Sequence, residues 1–209
     1  MNRIYWRVRN SLAIKVIFST VLLSLLVTGI TGSVLNSQLS AGVKDVNLSS
    51  ALVEARSTIF TAEYRFLLAQ GEKDSVVQKV VDDVISSATT LTSNENAREV
   101  VFLRSPGNNR ENNYEIASNL LDPNSIPSAL SEQVRKSPDL AYQYTTMSYL
   151  TGMKIKGLAI GQKVQIPNAG QYEMYIIFSL ANQQKTLDLI SRSLFLGGFI
   201  LLLLVALIT

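Results

Sequence analysis

The chain has 209 residues, with 19 lysines and arginines against 16 aspartates and glutamates, a formal net charge of +3, and neither histidine nor cysteine. Lacking both, it has no imidazole or thiolate metal ligand, no disulfide, no Ser–His–Asp triad and no phosphoaccepting histidine. The positive excess lies at the start: Arg3, Arg7, Arg9 and Lys15 precede the first acid, Asp45, and without those four the balance is 15 bases to 16 acids. It is therefore a topology signal and not a nucleic-acid surface.

The first predicted element is a membrane-spanning helix at 16–35, VIFSTVLLSLLVTGITGSVL, within a stretch free of charge from Val16 to Val43. About 20 apolar residues are needed to cover about 30 Å of hydrocarbon at about 1.5 Å per residue. The run is longer than the apolar core of a cleaved signal peptide, about 7–15 residues, so it reads as an uncleaved anchor. The basic tail 1–15 is then expected in the cytoplasm, and residues 36–191 form an extracytoplasmic domain large enough for one core.

A long helix is expected to continue to about Gln70, where Gly71 provides a stop. Along it Leu48, Leu52, Ala55, Ile59, Ala62, Phe66 and Ala69 recur at alternating spacings of four and three. That pattern suits either a seam between two subunits or a helix lying on its own sheet. A second helix is predicted at Lys73–Leu91, with Val77, Val81, Val84 and Ile85 on one face and Asp82 and Asp83 outside it. Those neighbouring acids read as a solvated face and not as a cation site.

Strands are predicted at Val100–Leu103, Tyr114–Ala117, Ala141–Leu150, Lys154–Ile166 and Tyr172–Leu180, with a short helix at Pro127–Lys136 between the second and third. In the last strand Tyr172, Met174, Ile176, Phe178 and Leu180 share a face, the period of a strand with one buried side. From Asn182 a helix carries Leu187 and Ile190 toward a second span, 192–209. The run after Arg192 is slightly short and nothing follows Thr209, so it is read as a span that has been cut.

This order gives an α+β domain, a long helix behind an antiparallel sheet of about five strands, set between two transmembrane helices. It is the ground plan of PAS-like and Cache-like sensor domains. No constellation for catalysis or metal binding is present. The candidate ligand contacts are Arg104, Tyr142, Tyr144, Lys154, Lys156 and Tyr175. Tyr142 and Tyr144 alternate on one strand face and either line a pocket or serve as core or interface residues with satisfied hydroxyls, while Lys154 and Lys156 suit a solvent-facing strand. Leu187 and Ile190 are the candidate signal-relay residues, since a helix leaving the last strand directly can pass on a small translation or rotation.

The segments IPSALSEQVRKSPDLAYQYTTM (126–147), LAIGQKVQI (158–166) and YEMYIIFSLANQQKTLDLISRSLFLGG (172–198) resemble the MtrB group of actinobacterial sensor histidine kinases. The likeness is specific in the last 80 or so residues; region 72–119 does not suggest it. It implies a homodimeric two-component membrane kinase acting on a response regulator of the MtrA type. The phosphoacceptor helices and the region that uses ATP and Mg would follow the second span and are absent from this chain. With other outputs the same layout serves as the input module of a chemoreceptor or cyclase, and a self-contained anchored binding protein is the remaining alternative.

Overall fold

The computed structural model describes residues 12–89, 98–111 and 113–208; most of the basic tail and the expected last turn of the second helix, at Leu91, lie outside them. The elements are α1 (Leu12–Leu68), α2 (Asp74–Ala88), β1 (Arg98–Arg104), β2 (Ile116–Ala117), α3 (Ser128–Lys136), β3 (Ala141–Ser148), β4 (Lys154–Ile166), β5 (Gly170–Ser179) and α4 (Ala181–Ile208). Two 3-10 turns, Ser118–Leu120 and Pro123–Ser125, lie between β2 and α3. The chain divides into two units, 46–184 and 1–45 with 185–209.

In the unit 46–184 the five strands form one antiparallel sheet in the order β2-β1-β5-β4-β3. Its first face is covered by α1 and α2. The spacing of four and three along α1 resolves here: Ala55, Ile59, Ala62, Phe66 and Ala69 are all buried in the core of this one chain. Leu48 and Leu52 pack at its margin. The seam is thus used within the domain and does not face a second subunit. Val77, Val81, Val84, Ile85 and Ala88 of α2 complete that layer over Val100, Phe102, Leu158, Ile160, Tyr172, Met174 and Ile176. Phe66 meets Phe102 edge-to-face at 6.1 Å between ring centroids, a favoured aromatic geometry.

The second face is buried as well, which the one-sided reading of β5 did not include. Val101, Met147, Ala159, Tyr175 and Ile177 pack beneath Leu130 and Val134 of α3 and beneath Leu121 and Ile126 beside the 3-10 turns. A sheet covered on both sides shows continuous apolar runs instead of alternation, and MYIIF at 174–178 is such a run. Gly161 is what lets α3 approach. A Cβ there would lie 2.5 Å from the Tyr175 ring and 3.0 Å from Val134.

The connections follow local chemistry. After α1 the chain turns at Gly71, whose φ of +87° lies in the left-handed region that glycine adopts freely. Asp74 occupies the first turn of α2, where a carboxylate favours the positive end of the helix dipole. The β4–β5 turn is tied down at two asparagines. The Asn168 side-chain amide donates to the Glu72 carbonyl at 3.0 Å, and the Asn108 amide donates to the carbonyls of Ala169 and Gln171 at 2.8 and 2.9 Å.

In the other unit, the described side chains of α1 and α4 expose large apolar groups, among them Leu22, Leu23, Leu25, Leu26 and Ile30 on α1 and Phe195, Leu196, Phe199, Leu203 and Leu204 on α4. Among the described residues no helix is long and apolar enough to cross a membrane; both expected spans, 16–35 and 192–209, also contain side chains outside the described set.

Candidate functional site

Chemistry inside the domain concentrates on the second face of the sheet, where two glutamates are buried. Glu173 on β5 has no exposed surface. It accepts from the Arg135 guanidinium of α3 at 2.6 Å and from the Tyr175 hydroxyl at 2.7 Å. Glu99 on β1 accepts from Ser118 Oγ at 2.5 Å and from the Tyr149 hydroxyl at 3.0 Å, and Ser118 in turn accepts from the Val100 N–H at 2.8 Å. A buried carboxylate requires such donors, because desolvation without them costs several kcal/mol, about the whole margin of a small domain.

The tyrosines answer to the same environment. Burial, the Glu99 charge and its hydrogen bond push the Tyr149 hydroxyl well above the ordinary phenol range. Burial, with the hydrogen bond to Glu173, does the same for Tyr175. Both therefore remain protonated donors. The hydrogen bond to Glu173 also holds Arg135 above the usual arginine value. These groups position α3 and the 3-10 turns against the sheet. Chemically, what they do here is bind and orient one another.

The six candidate ligand contacts do not converge. Tyr142 and Tyr144 on β3 stand opposite Ile160 and Leu158 of β4, while Lys156 and Lys154 stand opposite Thr146 and Ser148. Directly opposed residues share a face, so these four candidates form one patch at the β3 edge of the first face. Tyr142 and Tyr144 are nearly half exposed there, and the lysines are exposed. Arg104 lies at the far end of β1, opposite Tyr172. Tyr175 is fully buried on the second face, its hydroxyl engaged by Glu173. Leu187 and Ile190 are half-buried on α4.

Two grooves flank the outer side of α1. One, of about 640 Å³, is lined by Phe60, Glu63, Tyr64 and Leu67 of α1 with Gln165, Pro167 and Asn168 of the β4–β5 turn. Burial raises the Glu63 carboxyl above its ordinary value, which disfavours its charged form. The other, of about 720 Å³, runs between α1 and α2 past Arg65, Leu68, Val76, Val80 and Asp83. Among the described residues no three metal-ligating side chains come together; Asp82 accepts a hydrogen bond from Gln78 at 2.9 Å, and both acids are exposed.

No family model matches the chain. The sensor histidine kinase MtrB of Mycobacterium tuberculosis is 30% identical to it over 207 residues, covering 95% of this chain and 34% of that protein. The MtrB of Mycobacterium leprae is 31% identical over 209 residues with the same coverage, and that of Mycolicibacterium paratuberculosis 28% over 207. The chain resembles MtrB along nearly its whole length. The likeness read from the closing motifs therefore extends through region 72–119, where no motif had suggested it. The chain spans about a third of the length of the MtrB proteins it matches.

Sequence reasoning missed Glu99, Glu173, Arg135 and Tyr149. Glu173 occupies the alternate position of a strand whose other parity is apolar, which reads as the solvent side until α3 is known to cover it; Glu99 is covered instead from the first 3-10 turn and by Tyr149. Tyr175 and Ile177, of the same parity as Glu173, carried the available signal.

Proposed function

We propose that this chain is the sensor and membrane-anchoring region of a two-component sensor histidine kinase of the MtrB type, acting with a response regulator of the MtrA type. The observation that carries this reading is the likeness to MtrB over 95% of the chain. In this reading 1–15 is a cytoplasmic tail, 16–35 and 192–209 are transmembrane helices, and 36–191 is an extracytoplasmic PAS-like or Cache-like domain of a homodimer in the cell membrane. The apolar stretches at both ends, the basic tail and the exposed leucines and phenylalanines of α1 and α4 support the two spans, because water does not tolerate so much contiguous apolar surface. ATP and Mg belong to the kinase region of such a protein.

The domain's route of output is short. β5 ends at Ser179 and α4 begins at Ala181, with Leu180 between them. The Leu180 N–H donates to the Lys156 carbonyl at 2.9 Å, and its own carbonyl accepts from the Gln184 N–H at 3.0 Å. One residue thus belongs both to the sheet's hydrogen bonding and to the first turn of α4. A ligand at the patch of Tyr142, Tyr144, Lys154 and Lys156 would act on β4, whose start is bonded to that residue. Arg104 and Tyr175 lie apart from this patch.

The test is made in the complete protein. Leu187→Asp or Ile190→Asp is expected to leave thermal unfolding of the domain unchanged while holding phosphoryl transfer at one level, displaced about fivefold or more from wild type, the scale of an ordinary coupling energy. Wild-type regulation in both variants would overturn the helix relay.

A further inference from the structure

The face of α1 turned away from the sheet carries a second pattern with spacings of three and four: Ser50, Val53, Ser57, Phe60, Tyr64 and Leu67. At about 100° per residue it lies nearly opposite the buried seam. Val53, Phe60 and Leu67, seven residues apart, are 72%, 69% and 63% exposed, and Tyr64 is 55% exposed. No charge interrupts the stripe; Glu54, Arg56, Glu63 and Arg65 flank it. An apolar centre with a charged rim is the composition of a protein interface, and an uncovered stripe with two aromatic rings is unusual for a surface that meets only water.

We infer that this stripe is where a second copy of the same chain docks, α1 against α1 in parallel. The inference rests on the membrane-anchored homodimer reading above. In that reading the anchor 16–35 precedes the stripe in every copy, so two copies in one membrane run in the same direction. In a parallel pair, residues at a seven-residue repeat meet their own counterparts, so the stripe is self-complementary across a two-fold axis. The layers alternate in size: Ser50 and Ser57 are small, while Val53, Phe60 and Leu67 project. Beside the ridge runs the 640 Å³ groove between α1 and the β4–β5 turn, so each copy offers a ridge and an adjoining recess.

The absence of cysteine from the chain allows a direct test by single-cysteine cross-linking of the full chain in membranes. Val53→Cys, Phe60→Cys and Leu67→Cys are expected to form intermolecular disulfides at least about tenfold faster than Lys79→Cys on the exposed side of α2, because bridging requires Cβ atoms within about 4.5 Å. Adding Phe60→Asp to Leu67→Cys is expected to lower that rate about tenfold, the effect of removing a central aromatic anchor worth about 1.4 kcal/mol. Rates at the three positions equal to that of Lys79→Cys overturn the inference. If Tyr142→Cys cross-links instead, the copies pair at the β3 edge and the homodimer reading stands without this surface. If no position cross-links and the chain sediments as a monomer in detergent, that reading fails as well.

Discussion

Arg135→Ala is expected to lower the stability of the domain by about 2–4 kcal/mol, read as a shifted urea midpoint, the cost of stripping one partner from a buried ion pair. The reason is asymmetry. Glu173 is fully buried, whereas the Arg135 side chain is 42% exposed. Removing the arginine leaves a carboxylate in the core with its charge uncompensated, although Tyr175 still donates to it. Glu173→Gln is expected to cost less, because the arginine it releases can turn to water. Replacing both residues with leucine is expected to recover most of the Arg135→Ala loss, since no stranded charge remains. The neighbouring pair on the same helix is the control. Lys136 and Glu132 are 3.4 Å apart and both largely exposed, so Lys136→Ala is expected to change stability by no more than about 0.5 kcal/mol. Equal losses for Arg135→Ala and Lys136→Ala would show that the Glu173 pair does not hold α3 on the sheet.

Phe66→Ala is expected to cost about 3–5 kcal/mol, the range for deleting a fully buried ring. Phe66 is 1% exposed, lies in the seam of α1 and packs edge-to-face on Phe102. Such a loss is comparable to the total stability of a small domain. Phe60→Ala, less than two turns away on the same helix, is expected to change the domain's own unfolding by less than about 0.5 kcal/mol, because that ring is mostly in water. The two phenylalanines separate the roles of the two faces of α1. One should affect folding alone, and the other the association of copies. A large folding loss from Phe60→Ala would place that ring in the core and remove the outer stripe.

Most of the fold can be read from the residues. The alternation of four and three along α1, the apolar face of α2 and the five strand segments each correspond to an element within a few residues. Periodicity encodes which side of an element is buried, and for α1 that is sufficient. It does not encode how many layers a sheet will have. β5 reads as one-sided because Tyr172, Met174, Ile176 and Phe178 share a parity, yet Tyr175 and Ile177 are equally buried, under a second layer that includes a helix of nine residues. That helix is short and polar on its outer side, with only Leu130 and Val134 facing inward as apolar anchors, so its weight in the core is hard to see beforehand. The buried acids follow from the same omission: Glu99 and Glu173 look solvated only while the second layer is missing.

The candidate contacts were less legible than the fold. Aromatic and basic side chains suggest ligand contacts by their type, and residue type does not determine where a strand's ends and faces lie. Register does. It gathers Tyr142, Tyr144, Lys154 and Lys156 and sends Arg104 and Tyr175 elsewhere, information that requires knowing that β4 pairs with both β3 and β5. The outer stripe of α1 is obscured in the sequence for a different reason. Its spacing resembles that of the buried seam, and a helix that shows two such patterns does not announce which one meets the sheet.

The most direct test of the functional reading is a chimera in which this chain replaces the matching third of the Mycobacterium tuberculosis MtrB, assayed in membranes for phosphoryl transfer to that kinase's response regulator. The expected result is transfer under the control of this chain: present with the native sequence, and displaced about fivefold or more by Leu187→Asp, the scale of an ordinary coupling energy. Transfer at one unchanging level, whether the kinase region carries this chain, its Leu187→Asp variant or an unrelated two-span anchor, would contradict a sensor role.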